Sequence, residues 1–523
     1  MSTIARIQSK LESSERRYIE NICPINGEVI GKIPISTPEE VEAAVAKARR
    51  AQSSWRSLSV KQRADYILKV RDAFVERREW VLDTIRKDTG KTRSDAFLAD
   101  VFTVVDSTTY FCKRAPKILS STQIPLHFFK TKKSYLVYEP LGVVGVITPW
   151  NFPTAFLSDV VLALLAGNTV ILKPSEVTPL IGEMTAELFA SAKLPDGVFQ
   201  VVHGDGSTGA ALVKSNVDKI VFTGSVRTGK LIYQELGRKD RFTPVALELG
   251  GKDPMIVLED ADIERAADAA VWGAMVNSGQ MCSSVERVYV MQPVAKQFID
   301  LVVEKTKSLR QGTQDGPNVD VGAIIFPRQM EIIDGHVKDA LSKGARVLAG
   351  GERNSDLLPG NYYRPTVLSE VDHSMKIMTE ETFGPVLPIM IVKNEEEAIK
   401  LANDSVYGLT AMVWSKNLDR AKKIADRLEA GTVAINDCSA GGFGFCEAPW
   451  SGVKESGFGI VHSEEGLKSF CRAKHIIVDR GLMKREFYWF PNSEKSYNLL
   501  STIFNVLFAR GGKKLGSMFG KKE

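Results

Sequence analysis

Cysteine and histidine are scarce in this chain, six of each among 523 residues. The cysteines (Cys23, Cys112, Cys282, Cys438, Cys446 and Cys471) form no CxxC pair, and no histidines cluster around them at metal-ligand spacing. That excludes a recognisable zinc site and a disulfide framework, and no metal is expected. Reduced thiols in a cytoplasmic setting are the expectation. Also missing is any apolar run near the roughly 20 residues that span a bilayer. Residues 1–18 mix acids with bases and lack the apolar stretch of a secretory signal, so none is expected. Nor does charge of one sign dominate: 68 Lys and Arg face 63 Asp and Glu, a net charge of +5. Six Lys/Arg against two Glu in residues 488–523 put +4 of that in the tail, leaving the body near neutral. No nucleic-acid partner is expected.

What is present is ordinary globular material, 44% hydrophobic and 25% charged, long enough for two or three domains. Thr37-Pro38-Glu39-Glu40 reads as a helix start, with a capping threonine, a first-turn proline and acids behind it. Helices are predicted through residue 91. From Tyr135 onward, short β-branched runs at 143–148, 169–173, 198–203 and 219–223 alternate with helical stretches. A second series from Lys252 to about Ala440 offers strands at 254–258, 287–290 and 432–436. Strands alternating with helices predict an α/β fold with parallel sheets, and two such domains leave a cleft between them.

Three segments point to a dinucleotide. Gly204-Asp205-Gly206-Ser207-Thr208-Gly209 fits GxGxxG, although a surface turn fits equally well. The acid expected after the next strand is missing, because that strand runs into Phe222-Thr223-Gly224-Ser225. Lys173-Pro174-Ser175-Glu176 instead places a base and a carboxylate at a strand end, where they suit ribose hydroxyls. Gly224 to Gly229, including Ser225 and Thr228, opens a further helix whose glycines admit a pyrophosphate.

Together with Thr148-Pro149-Trp150-Asn151-Phe152-Pro153, Leu247-Glu248-Leu249-Gly250-Gly251-Lys252, Gly279-Gln280-Met281-Cys282, Glu380-Glu381-Thr382-Phe383-Gly384-Pro385, residues 403–408 and Lys454-Glu455-Ser456-Gly457, these segments resemble the aldehyde dehydrogenase superfamily. They stand in that family's order across residues 30–477. The resemblance implies a Rossmann-type NAD-binding domain (1–122 and 145–249), a catalytic domain (250–445) and a small β oligomerisation or bridging element (123–144 and 446–487), leaving 488–523 as a basic tail. It also implies a homodimer or homotetramer.

Aldehyde oxidation by hydride transfer needs a tetrahedral carbon bearing an oxyanion, which a thiolate creates by adding to the carbonyl. The resemblance assigns that role to Cys282. It gives the oxyanion to the Asn151 side chain and the Cys282 N–H, and the activation of water to Glu248. Because relatives that pass the acyl group to coenzyme A lack the equivalent base, Glu248 favours a free acid as product. The cofactor bed implied comprises Thr148, Pro149, Trp150, Lys173, Ser175, Glu176, Gly206, Gly209, Phe222, Thr223, Gly224, Ser225, Thr228, Gly229, Leu249, Gly250, Glu381 and Phe383. Glu176 would repel a 2′-phosphate, so NAD is expected, with NADP admitted. One departure stands out: many relatives carry Arg-Glu after the Ser-Gly-x-Gly element, whereas Gly459 is followed here by Ile460-Val461-His462.

Phe152, Ala155, Phe156 and Asp159, spaced i, i+3, i+4, i+7, are expected to share a helix face lining the substrate tunnel, with Met281 and Ser283 beside the nucleophile. Without an arginine, that face suits an apolar medium- to long-chain aldehyde better than a semialdehyde; an aminoaldehyde is the other alternative. Leu499, Leu500, Ile503, Phe504, Leu507 and Phe508 form an apolar stripe ahead of the basic tail. This stripe loosely resembles the membrane-associating ends of fatty aldehyde dehydrogenases, although docking on a partner subunit reads the same pattern. A cofactor-independent cysteine esterase is the competing class, and no histidine in the motifs supports it.

Overall fold

A computed structural model describes residues 16–313, 316, 318–438, 445–486 and 488–509. Two compact units emerge. One runs to Ser120 and from Tyr138 to Arg472; the other comprises Ser121 to Val137 and the chain from Ala473.

The first unit opens with an antiparallel pair, β1 (Tyr18–Ile22) and β2 (Val29–Pro34). Helices follow at Pro38–Ser57, Val60–Glu76 and Arg78–Thr89. Thr37 caps the first in a full capping box with Glu40, so the sequence signal and the observed start coincide.

The next sheet has six strands in the order β19-β9-β8-β5-β6-β7: β5 (Val143–Ile147), β6 (Thr169–Lys173), β7 (Phe199–Val201), β8 (Lys219–Thr223), β9 (Val245–Glu248) and β19 (Gly457–Phe458). β5 to β9 are mutually parallel and β19 joins antiparallel to β9. Central strands β5, β6 and β8 are buried along their whole length, as a sheet covered on both faces requires. Because these strands run one way, the segments after each of them gather at one edge, where ligands of such sheets bind.

The second sheet has seven strands, β12-β13-β14-β11-β10-β16-β17: β10 (Asp253–Val257), β11 (Val285–Met291), β12 (Arg346–Ala349), β13 (Thr366–Ser369), β14 (Val386–Val392), β16 (Thr410–Trp414) and β17 (Thr432–Ile435). All are parallel except β12, which pairs antiparallel with β13. A short pair, β15 (Tyr407–Gly408) with β18 (Val453–Lys454), completes this unit.

The second unit holds β3 (Thr122–Ile124), most of β4 (Lys132–Pro140) and β20 (Cys471–Asp479), in the order β20-β4-β3, and the helix Glu494–Phe508. Within it Lys132 pairs with Asp479 at 2.5 Å and Glu486 at 2.8 Å, and Ser134 meets the His475 ring at 2.6 Å. The apolar stripe lies on that helix and none of its residues is buried. The basic residues from Arg510 onward lie outside the described residues.

Candidate active site

Asn151 follows β5, Lys173 ends β6 with Glu176 just beyond it, Ser225 follows β8 and Glu248 ends β9, and parallel pairing brings these strand ends to one sheet edge. Lys173, its side chain almost wholly buried, pairs with the half-exposed Glu176 at 3.0 Å, and the Ser175 hydroxyl accepts from the Val177 N–H. Ser225 caps the helix Val226–Gly237 by accepting from the Thr228 N–H. Gly229 lies so close to Leu249 that a Cβ would enter its side chain. Phe222 and Thr223 end β8, and the Gly224 N–H donates to the Glu248 carbonyl.

The helix at the GxGxxG segment is built differently. Asp205 caps Gly206–Lys214 with its own carboxylate, which accepts from the Ser207 N–H and lies below its ordinary pKa because of that hydrogen bonding. A helix start already holding a carboxylate is a poor seat for a second anion. A Cβ on Gly206 or Gly209 would meet open space, so close approach explains neither glycine.

Lys252, just before β10, and Glu286 on β11 form a buried ion pair. Glu286 accepts the N–H groups of Thr382 and Phe383, both at 2.9 Å, and Lys252 donates to the Thr382 hydroxyl at 3.1 Å. This pair therefore shapes the turn that carries Glu381 and Phe383, the latter at φ 53°. Glu381 accepts the Gly251 N–H at 3.1 Å and packs where a Cβ on Gly250 would sit, which is why that position must be bare. Burial, then the charge of Glu286, pushes Glu381 up to about 8. Phe383 meets Trp150 edge-on at 5.1 Å, and Trp150 meets Phe326 at 5.0 Å. Sequence reasoning named Trp150 and Phe383 separately and missed Lys252, Glu286 and Phe326, whose roles arise only from folding.

Cys282 lies in the loop between the helix Ile263–Met275 and β11, packed against Leu409, Trp450 and Val461. Burial, followed by the charges of Asp253, Glu381 and Glu248, pushes its thiol well up. Glu248 ends β9 opposite Gly457 of β19. It is buried, neither oxygen has a hydrogen-bond partner of normal geometry, and burial with the Asp159 charge raises its pKa far above the carboxylate range. The nearby Trp450 side chain offsets this in part. Asn151 is buried, its side-chain amide donating to the Gln280 carbonyl at 3.1 Å while its own carbonyl accepts from Asn277 Nδ2 at 3.2 Å.

A cavity of about 290 Å³ opens onto Cys282. Phe152, Ala155, Phe156, Met281 and Ser283 line it. Asp159 does not. Residues 153–156 form turns, and the helix starts only at Leu157, so the assumed helical spacing does not extend back to Phe152. Asp159 is instead buried beside Lys219 and Glu248, its carboxyl pushed up to about 7, chiefly by burial. The rest of the wall was not foreseen. Leu98, Ala99 and Phe102 project from a π-helical segment, Ala96–Phe102, and Trp272, Val276 and Phe445 close the ring. No local pattern links positions so far apart. Asp95 is the sole charged residue among the described residues lining the cavity.

A parallel sheet with capped helix starts at its carboxyl edge, joined in one chain to a second sheet and a cysteine-bearing loop, is the arrangement of a dinucleotide-dependent oxidoreductase. The aldehyde dehydrogenase family pattern matches residues 11–476. A 4,4'-diapolycopene aldehyde oxidase of Methylomonas sp. is 41% identical over 94% of this chain and 91% of its own. A provisionally named succinate-semialdehyde dehydrogenase [NADP(+)] of Mycobacterium ulcerans is 39% identical over 90% of each chain. Among solved structures, betaine aldehyde dehydrogenase from Staphylococcus aureus in complex with NAD+ has a TM-score of 0.84 at 34% identity, covering 92% of this chain and 94% of that one. The chain belongs to the aldehyde dehydrogenase family, and with it comes NAD(P) as hydride acceptor and an aldehyde as small-molecule substrate.

Proposed function

We propose that this enzyme oxidises an apolar, medium- to long-chain aldehyde to the free carboxylic acid, with NAD as the preferred acceptor. The observation that carries this reading is the cavity onto Cys282, with an almost wholly apolar lining and no lysine or arginine among the described residues that line it. A semialdehyde ending in a carboxylate would leave its charge unpaired there, at a cost of several kcal/mol. The relative named for 4,4'-diapolycopene aldehyde fits this reading better than those named for succinate semialdehyde. Glu176 beside Lys173 favours ribose hydroxyls over a 2′-phosphate.

In this reading the Cys282 sulfur adds to the aldehyde carbon, its proton passes to the Glu248 carboxylate, and the carbonyl oxygen becomes an oxyanion. One Asn151 amide proton is held by the Gln280 carbonyl, leaving the second to meet that oxyanion with the Cys282 N–H. NAD, once bound, would supply the hydride acceptor. Hydride loss leaves an acyl group on Cys282. Glu248 releases the proton it took from Cys282 to solvent and then takes one from water, the hydroxide adds to the thioester carbon, the C–S bond breaks, the acid departs, and that second proton returns to the Cys282 sulfur. Lys173, Glu176, Ser225, Thr228 and Glu381 would hold the cofactor, with Trp150 and Phe383 packing beside it.

NADH formation with hexanal through hexadecanal, succinic semialdehyde and an aminoaldehyde tests the substrate class. Rising kcat/KM with chain length is expected; a preference for succinic semialdehyde overturns the reading. Cys282→Ser should bind NAD as before and lose turnover by orders of magnitude.

We further infer that the helix Glu494–Phe508 lies on an anionic lipid surface. Leu500, Ile503, Phe504, Leu507 and Phe508 flank a groove of about 520 Å³ with Phe128, and the sequence beyond is basic.

A further inference from the structure

The loop before Cys282 contains two consecutive non-glycine residues in the left-handed region, Asn277 (φ 51°) and Ser278 (φ 57°). Asparagine tolerates this conformation; serine seldom does, and a run of two persists only where the surroundings hold it. Here they do. The Ser278 hydroxyl donates to the Gly322 carbonyl at 2.9 Å, and Gln280 Nε2 donates to the Asn277 carbonyl at 2.9 Å. From the far side, Asp95 Oδ2 accepts the Asn277 N–H at 3.2 Å. Asn277 in turn donates through Nδ2 to the Asn151 carbonyl at 3.2 Å and to the Gln280 carbonyl at 3.0 Å, the same carbonyl that holds the Asn151 side chain. A continuous chain of hydrogen bonds thus runs from Asp95 to both ends of Asn151.

Asp95 is itself fixed, its N–H donating to the Thr92 hydroxyl at 3.1 Å. It stands at the junction of two cavities, the apolar one onto Cys282 and a polar one of about 500 Å³. A carboxylate facing an apolar channel is costly unless its hydrogen bonds repay it, and the Asn277 N–H is such a bond. The π-helical segment beginning at the next residue walls the channel with Leu98 and Phe102. Through Asp100, which accepts from the Thr154 N–H at 3.2 Å and its hydroxyl at 2.7 Å, this segment also grips the chain three residues beyond Asn151.

We infer that Asp95 is a positioning residue for the reaction: its carboxylate holds the left-handed Asn277–Ser278 turn that aims the Asn151 amide at the oxyanion. This rests on the reading of Asn151 as oxyanion donor. A double-mutant cycle separates the two. Asn151→Ala should lower kcat/KM on the order of a hundredfold or more; no loss would sink the donor reading. Asp95→Ala in the native background should cost about tenfold in kcat/KM, as expected for misplacing a reacting group. In the Asn151→Ala background it should cost little, because the group it positions is gone. Equal losses in both backgrounds would mean a general structural role and overturn the inference, as would no loss in either. Asp95→Asn keeps an acceptor oxygen and should recover most of the rate. It also serves in the same cycle if the alanine variant does not fold, there losing about threefold in the native background alone.

Discussion

Cys282 and Glu248 both sit where their surroundings oppose the charged form, and this sets how the enzyme should respond to pH. Burial and three neighbouring carboxylates raise the thiol, while burial and Asp159 raise Glu248. A base whose pKa is raised is protonated and idle below that pKa, so turnover limited by deacylation should climb as pH rises through it. Glu248→Gln should abolish that rising limb and lower kcat on the order of a hundredfold or more; pH–rate profiles of the two forms check this. Asp159 gives a stability prediction of definite sign. Its folded pKa of about 7 exceeds the model-peptide value of 3.8, so the folded state retains a proton that the unfolded chain has lost. Stability therefore falls as pH rises from about 4 to 7, and the penalty is complete above that. Asp159→Asn should raise Tm by a few degrees at pH 8 and hardly at all near pH 4. An equal rise at both pH values would show that the gain has nothing to do with charge.

At the scale of elements, the π-helical segment Ala96–Phe102 does what no sequence pattern announced. It sets Leu98 and Phe102 in the channel wall while Asp95 and Asp100 brace the residues around Asn151. π-Bulges recur at functional sites because the extra residue redirects side chains. The helix Leu157–Leu165 shows the converse. Its apolar residues were legible, but its start was not, and the four turn residues ahead of it leave Asp159 out of the channel lining. The C-terminal helix was legible because its stripe follows helical period, and its lack of buried residues leaves that stripe uncovered within its own unit. A chain ending at Phe487 should keep kcat with a water-soluble aldehyde and lose sedimentation with vesicles containing phosphatidylserine. Unchanged sedimentation would remove the helix as the lipid contact.

For the whole molecule, the three-stranded sheet of the second unit ends in an exposed strand. β20 shows Ile476, Ile477 and Val478 to solvent, and its outer edge has no partner strand among the described residues. Exposed edges of this kind template pairing with another chain, and members of this family are typically oligomeric. We expect a second copy to cover β20. Ile477→Lys should lower the mass seen by light scattering toward the 57.6 kDa of one chain, with little change in Tm. A mass that stays unchanged would place the interface elsewhere.

The sequence by itself determined the α/β class, four of the six strands of the first sheet but only three of the seven of the second, and the order of the chemical motifs. Strand runs and capping residues act over a few neighbours, so their signal is local and survives without the fold. The segments holding Cys282, Glu248 and Asn151 are short as well, and it is through the family resemblance they carry that those residues could be singled out. Only the tertiary structure decided that Lys252 and Glu286 shape the Glu381 turn, that Asp205 occupies its own helix start, and that Asp159 faces Glu248 rather than substrate. Each of these depends on which groups meet across long stretches of chain in a dry interior. There burial and unlike neighbours set the charge states, and no stretch of sequence carries that information alone.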